Sequence, residues 1–313
     1  MDLAPILLFA YCRLDKTKRC IEALERNVLA QYSELYIFAD GAKGKDDMEL
    51  VRSVQDWLRG YVSESQSFLK IHLEIKETNC GLANSIISGV SKVIEVYGEV
   101  IVLEDDIIAS PFFLNYMNDG LDYYRNNTQI WSITSFGGYN LQSLKEYKHD
   151  IFVSYRACSW GWGSWRDRWN MVDWQVSDFN ELSHDKEMQK HFNRGGGDLY
   201  GMLRRQMDGK IDSWAIRWAY SSSKKNMYTV YPRKGFAYNI GFDGSGVHCS
   251  KKSKYNNIIA DEYDVKFEDV DLDAAITKEV YRYNTDNKIK KTIGQIKKYI
   301  RNRCDKLLES RKA

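Results

Sequence analysis

Glu104, Asp105 and Asp106 follow directly on the apolar run Val100-Ile101-Val102-Leu103. Taking an ionised carboxylate out of water is costly unless a cation, hydrogen-bond donors or solvent compensates it. Three acids at the end of a core strand therefore predict a cation, a donor-rich ligand or, most plainly, a solvated turn. A hard divalent cation takes oxygen ligands, and a strand-end carboxylate can share it with phosphate oxygens. Much further along, Asp212 precedes Trp214, Arg217 and Trp218 in "GKIDSWAIRWAYS" (209–221). A carboxylate among aromatic groups is desolvated, which raises its pKa toward that of a general base. A helix-capping Asp is the alternative.

Other stretches carry weaker signals. Asp40 ends an apolar segment before a glycine turn, a position suited to hydrogen bonding a base or ribose. "NCGLANS" (79–85) sets Asn79, Gly81 and Asn84 at a helix start, where free N–H groups can meet an anion, or where they simply build a turn and cap. "YRACSWGWGSWRDRW" (155–169) offers Trp160, Trp162, Trp165 and Trp169 as planes for sugar C–H faces, or as a Trp-rich core. Its Arg156, Arg166 and Arg168 suit a diphosphate or ordinary surface pairs. "YNIGFDGSGVHCS" (238–250) reads as a mobile loop in which His248 could ligate a metal or touch phosphate. No GxGxxG follows the first strand and no GxxxxGK[ST] occurs, which argues against Rossmann dinucleotide and P-loop chemistry.

The elements that must position these residues alternate. Strand patterns cover 4–11, 35–40, 69–76, 99–106 and 130–136. Between them helical spacing runs from about Thr17 through Ile21, Leu24 and Val28, and through Met48, Val51 and Leu58. It recurs in 81–98 at Leu82, Ile86, Val90, Val93 and Tyr97, and Ser110-Pro111 is set to cap and start another helix. Such alternation predicts an α/β fold, a mostly parallel sheet with helices on both faces. Ligands then lie beyond the carboxyl ends of the strands, which puts Arg13, Asp40 and the acidic triplet on one rim. From about 150 the pattern turns irregular and rich in Trp, Gly and Tyr.

With 313 residues and 43% hydrophobic content the chain can bury a sizeable core, and a net charge of +2 argues against a nucleic-acid partner. Residues 286–313 hold ten Lys/Arg against three Asp/Glu, which leaves the preceding 285 residues at −5. Ile289, Ile293, Ile296, Ile300 and Leu307 form one stripe of that tail. An interfacial helix on an anionic membrane has this pattern, as does a helix packed on the body or against another subunit. The six cysteines show no CxxC or metal-ligand spacing and read as reduced thiols. The short apolar start, interrupted by Pro5, reads as a core strand rather than a signal peptide or membrane span.

In this order, "PILLFAYCRLDKTKRCIEAL", "IFAD", "VLEDDIIASPFFLNYM", "IWSITSF", "IDSWAIRW" and "YPRKGFAYNIGFDGSG" resemble segments of the inverting GT-A glycosyltransferases. The similarity is to N-acetylglucosaminyltransferase I and its bacterial relatives, over roughly residues 4 to 250. The resemblance implies one GT-A (Rossmann-like) domain over 1–285, with a nucleotide-sugar half (1–140) and a Trp-rich acceptor and catalytic half (141–285). It implies that Asp106 binds Mn2+ or Mg2+ on the diphosphate of a UDP-sugar, with Asp105 on ribose, Glu104 on the transferred sugar and Asp40 on uracil. Arg13, Asn79, Asn84 and His248 would join the donor site, and Trp160, Trp162 and Trp214 would stack on sugars. Asp212 would be the base; the chain has Ile-Asp-Ser-Trp where the family has two consecutive acids, so it is the single candidate. The implied activity is metal-dependent, inverting transfer to a saccharide, lipid-linked where the tail meets a membrane, in bacterial surface-polysaccharide synthesis. The implied location is the cytoplasm, at the inner face of the plasma membrane. Two other readings stand beside it. A sugar-1-phosphate nucleotidyltransferase needs a glycine-rich basic loop after the first strand, and "YCRLDKTKRC" has no glycine. A non-catalytic carbohydrate-binding protein would use the Trp-rich half alone.

Overall fold

The computed structural model describes residues 3–242 and 259–285. The first half alternates β1 (Ile6–Ala10), α1 (Leu14–Glu25), β2 (Glu34–Ala39), α2 (Met48–Glu64), β3 (Lys70–Ile75), α3 (Leu82–Tyr97) and β4 (Glu99–Glu104). Its four strands are parallel in the order β3-β2-β1-β4. Successive strand side chains point to opposite faces, so each face needs its own cover. Ile6, Leu8 and Leu103 pack with Ile21 and Leu24 of α1 and Val54 and Leu58 of α2. Leu7, Phe9, Val100 and Val102 pack on the other face with Ile86, Val90 and Val93 of α3.

The second half follows as β5 (Ile107–Ala109), α4 (Phe113–Tyr124), β6 (Ile130–Thr134), β7 (Ile151–Ser154), β8 (Trp162–Trp165) and α5 (Arg166–Trp169). Next come α6 (Phe179–His184), α7 (Lys186–Phe192), α8 (Leu199–Met207), α9 (Trp214–Lys224), β9 (Tyr228–Pro232) and β10 (Ala237–Asn239). A last helix covers 274–285. The sheet continues from β4 as β8-β6-β9-β7, giving eight strands, while β5 and β10 form a separate antiparallel ribbon. Both halves of the chain thus share one α/β sheet, mostly parallel and flanked by helices.

Several expectations are corrected. A strand absent from the sequence pattern, β8, lies between β4 and β6, antiparallel to both. Its four residues, Trp-Gly-Ser-Trp, have no apolar alternation, and pairing on both edges makes them a strand. The fourth strand stops at Glu104, and Asp105 and Asp106 form the turn into β5. Helix α1 begins at Leu14 and ends before Val28, which is 54% exposed. Leu82 and Tyr97 at the ends of α3 are likewise exposed. Ser110 accepts from the Phe112 N–H at 3.3 Å in a turn ahead of α4 instead of capping it.

The largest correction concerns tryptophan. Trp131, Trp162, Trp169, Trp214 and Trp218 are all buried together. The Trp162 ring centroid lies 4.6 Å from that of Trp218, 5.2 Å from Trp214 and 5.7 Å from Trp169. Trp162 and Trp214 therefore offer no face to a sugar. Their apolar area is used in the core that joins β8 to α9. Among the described residues no helix is long and apolar enough to cross a membrane. The tail 286–313 lies outside the described residues.

Candidate functional site

β1 has β2 on one side and β4 on the other, so the chain direction of winding reverses between β1 and β4. In sheets of this kind the crevice beyond that point is where ligands bind. Arg13 and the acidic triplet meet there. The Arg13 carbonyl accepts from the Thr17 N–H at 2.9 Å and the Thr17 hydroxyl at 3.0 Å, which fixes the loop leaving β1. Its guanidinium donates to Asp106 Oδ2 at 2.9 Å and to Asp105 Oδ1.

The ribbon supplies the rest of the enclosure. Ile107 of β5 pairs with Asn239 of β10, and Asn239 Nδ2 donates to Asp106 Oδ1 at 3.2 Å. The Ile240 N–H donates to the Asp106 carbonyl at 2.9 Å. Gly241 lies so close that a Cβ there would collide with Asp106 Oδ2. Phe242 meets the Trp160 ring at 5.5 Å, edge to face. Trp160, half-buried, is thus the one predicted stacking residue placed beside the strip that covers Asp106.

Asp105 and Asp106 are 3% and 6% exposed, and Asp105 Oδ2 has no hydrogen-bond partner. Burial, reinforced by the charges of Asp106 and Asp105 and opposed by Arg13, pushes Glu104 up to about 8. Burial also raises Asp105, against the pull of Arg13. Because the Glu104 pKa is raised in the folded state, the folded protein holds that proton more tightly. The corresponding stability is full below the ordinary value of 4.5 and is lost as pH rises to about 8. Thermal melts across that window should show the wild type losing stability that Glu104→Gln keeps. Identical slopes for the two proteins would contradict the burial of Glu104.

Asp40 is engaged differently from the expectation. Its Oδ1 accepts from the N–H groups of Gly41 and Cys80, both at 2.9 Å. Its Oδ2 accepts from Asn79 Nδ2 and the Gly81 N–H, both at 3.1 Å. Asn79 Nδ2 also donates to the Gly41 carbonyl at 2.8 Å. A Cβ on Gly41 would stand 2.5 Å from the Thr78 carbonyl carbon, so only glycine allows these loops to meet. Asp40 and Asn79 therefore clasp the ends of β2 and β3 together, and neither is drawn as a free contact for uracil. Exposed Asn84 donates to the Cys80 carbonyl at 3.0 Å, a local cap.

Asp212 is exposed, and its Oδ2 accepts from the Ala83 N–H at 3.3 Å. Together Asp40 and Asp212 occupy N–H groups at the start of α3 that were expected to meet an outside anion. Aromatic desolvation of Asp212 fails, because Trp214 and Trp218 turn into the indole core while Asp212 faces out. Ser213 caps α9, accepting from the Ile216 N–H at 3.4 Å. Among the described residues no hydrogen bond or ion pair joins Asp212 to the triplet. The arginines of the Trp-rich stretch are structural: Arg156 grips Asp198 at 2.9 and 3.0 Å, and Arg168 holds Asp167 and three backbone carbonyls. His248 and Asp243 lie outside the described residues.

Among the described residues no three His, Cys, Asp or Glu side chains converge as a ligand set. Both Asp106 oxygens are taken, by Arg13 and Asn239, with the Gly241 backbone packed on them. The residues as arranged do not fit a cation at Asp106, and one placed there would demand that Arg13 leave. Asn239 and Gly241 stand inside the glycine-rich stretch 238–250, where the sequence singles out only His248.

No protein-family model and no curated protein sequence matches the chain. Among solved structures, one described as S. aureus TarS 1-349 overlaps 75% of this chain at 8% identity and a TM-score of 0.42. S. aureus TarS overlaps 77% at 8% identity and a TM-score of 0.44, and TarS 1-349 in complex with UDP-GlcNAc 75% at 8% and 0.40. The chain spans 60%, 37% and 58% of the length of those three chains.

Proposed function

We propose that the protein is a GT-A-type glycosyltransferase that moves a sugar from a UDP-sugar to a saccharide acceptor with inversion. The observation that carries this is the buried Arg13–Asp105–Asp106 cluster, with half-buried Glu104, at the crevice between β1 and β4. Glu104, with its pKa near 8, can both donate to and accept from a sugar hydroxyl at neutral pH. Asp105 Oδ2 is an acceptor left open for a ribose hydroxyl. Arg13 sets a fixed cation beside the place where a diphosphate would arrive. Trp160 flanks the sugar. Asp212, exposed at the start of α3, is the group proposed to take the acceptor proton. The Mn2+ or Mg2+ of the resemblance does not fit the described residues at Asp106 while Arg13 and Asn239 hold both its oxygens, so Arg13 is the cation that this reading uses. Residues 286–313 would bring the enzyme to the inner face of the plasma membrane, where a lipid-linked acceptor for surface polysaccharide is found.

The test is a panel of nucleotide sugars with saccharide acceptors. Asp212→Asn should leave donor binding intact and cut turnover by roughly 10²–10⁴-fold. Unchanged turnover rejects Asp212 as the base. Pyrophosphate release from a nucleoside triphosphate would show the nucleotidyltransferase instead, and sugar binding indifferent to nucleotide the binding protein.

A further inference from the structure

A second concave site lies away from the acids. A groove of about 850 Å³ is lined by Tyr155, Lys186, Lys190, Arg194, Lys278 and Tyr281, between α7 and the helix 274–285. The Arg194 guanidinium lies over the Tyr155 ring at 3.9 Å. It is held by the His191 carbonyl and Asn226 Oδ1, both at 3.0 Å. Lys190 pairs with Glu187 at 3.5 Å, and Lys186 donates to Gln189 Oε1 at 3.2 Å. Among the described residues neither Lys186 nor Lys278 has an ion-pair partner. Four cations and one pairing acid are therefore gathered on a body whose first 285 residues sum to −5. The segment that follows, 286–313, is itself +7, so charge excludes it as the natural occupant.

The position matters. Tyr155 follows Ser154, which pairs with Thr229 near the start of β9, whereas Thr134 pairs with Trp162 at the end of the sheet that carries Glu104. The groove is at the opposite end of the strands from the acids, about 15–20 Å away by strand rise. Only a chain could engage both. Tyr281, 40% exposed, brings an aromatic ring to the groove, and the volume is that of a small-ligand site.

We infer that this groove binds an acidic saccharide chain, through phosphate or carboxylate groups on Lys186, Arg194 and Lys278 and a ring on Tyr281. The saccharide part rests on the glycosyltransferase reading; the anion part does not. The experiment is calorimetric titration with a hyaluronan hexasaccharide, a glycerol-phosphate hexamer, neutral maltohexaose and a uridylate hexamer. Acidic saccharide or phosphate chains should bind well above maltohexaose. The two acidic probes separate carboxylate from phosphate recognition. Lys186→Glu/Lys278→Glu should weaken acidic binding roughly tenfold, with UDP binding and the melting temperature unchanged. Tyr281→Ala should weaken the hyaluronan hexasaccharide more than inorganic tripolyphosphate. Unaltered binding in the double variant, equal binding of maltohexaose, or tightest binding of the uridylate hexamer would overturn the inference. UDP-sugar turnover reads the proposed function separately, so either can fail alone.

Discussion

Arg13→Met should destabilise the protein by roughly 3–5 kcal/mol, because it strands two buried carboxylates without their cation. Asp105 and Asp106 are almost fully enclosed, and the Arg13 side chain that joins them is itself only 20% exposed. Solvent screening is therefore weak, unlike in a surface pair. Urea unfolding monitored by tryptophan fluorescence measures the loss. Adding Asp105→Asn and Asp106→Asn to Arg13→Met should recover most of it, since the neutral amides no longer need the charge. A wild-type midpoint for Arg13→Met alone would mean that the triplet is a solvated turn after all.

The second large effect separates two tryptophans that look alike in sequence. Trp162→Ala should cost roughly 3–5 kcal/mol, the usual toll for emptying a large aromatic site in a packed core. Its ring touches three others and is 1% exposed. Trp160→Ala should cost less, because that ring is half-buried and lies edge to face with Phe136 and Phe242. Its effect should fall on ligand affinity instead. Measuring unfolding and UDP-sugar titration on both variants checks this, and the reverse assignment of effects would refute the placement of the two rings.

The first four strands and three helices were legible because each carries a clean apolar period and a turn at its ends. Arg13 and the triplet were legible for the same reason, being the first polar residues after buried strands. What the sequence hid is long-range. Nothing in "WGSW" announces a strand, since its burial comes from β4 on one edge and β6 on the other. The ladder of β5 with β10 joins residues about 130 apart and decides that Asn239 serves Asp106. The sequence suggests Asp40 as a contact for a base or ribose and Asp212 as an acid desolvated among aromatic groups. The N–H groups they satisfy become visible only once the start of α3 is placed against both. The indoles misled because sugar platforms and packed cores use the same residue, and only burial tells them apart.

The acids at the end of β4 are the proposed nucleotide-sugar site. Its most direct measurement is calorimetric titration of UDP-sugars into the wild type and Asp105→Asn, with melting curves confirming that both are folded. The wild type should bind, and Asp105→Asn should lose roughly tenfold or more in affinity, the cost of a charged hydrogen bond. Equal affinity for both proteins, or no binding of any UDP-sugar by the folded wild type, would contradict it.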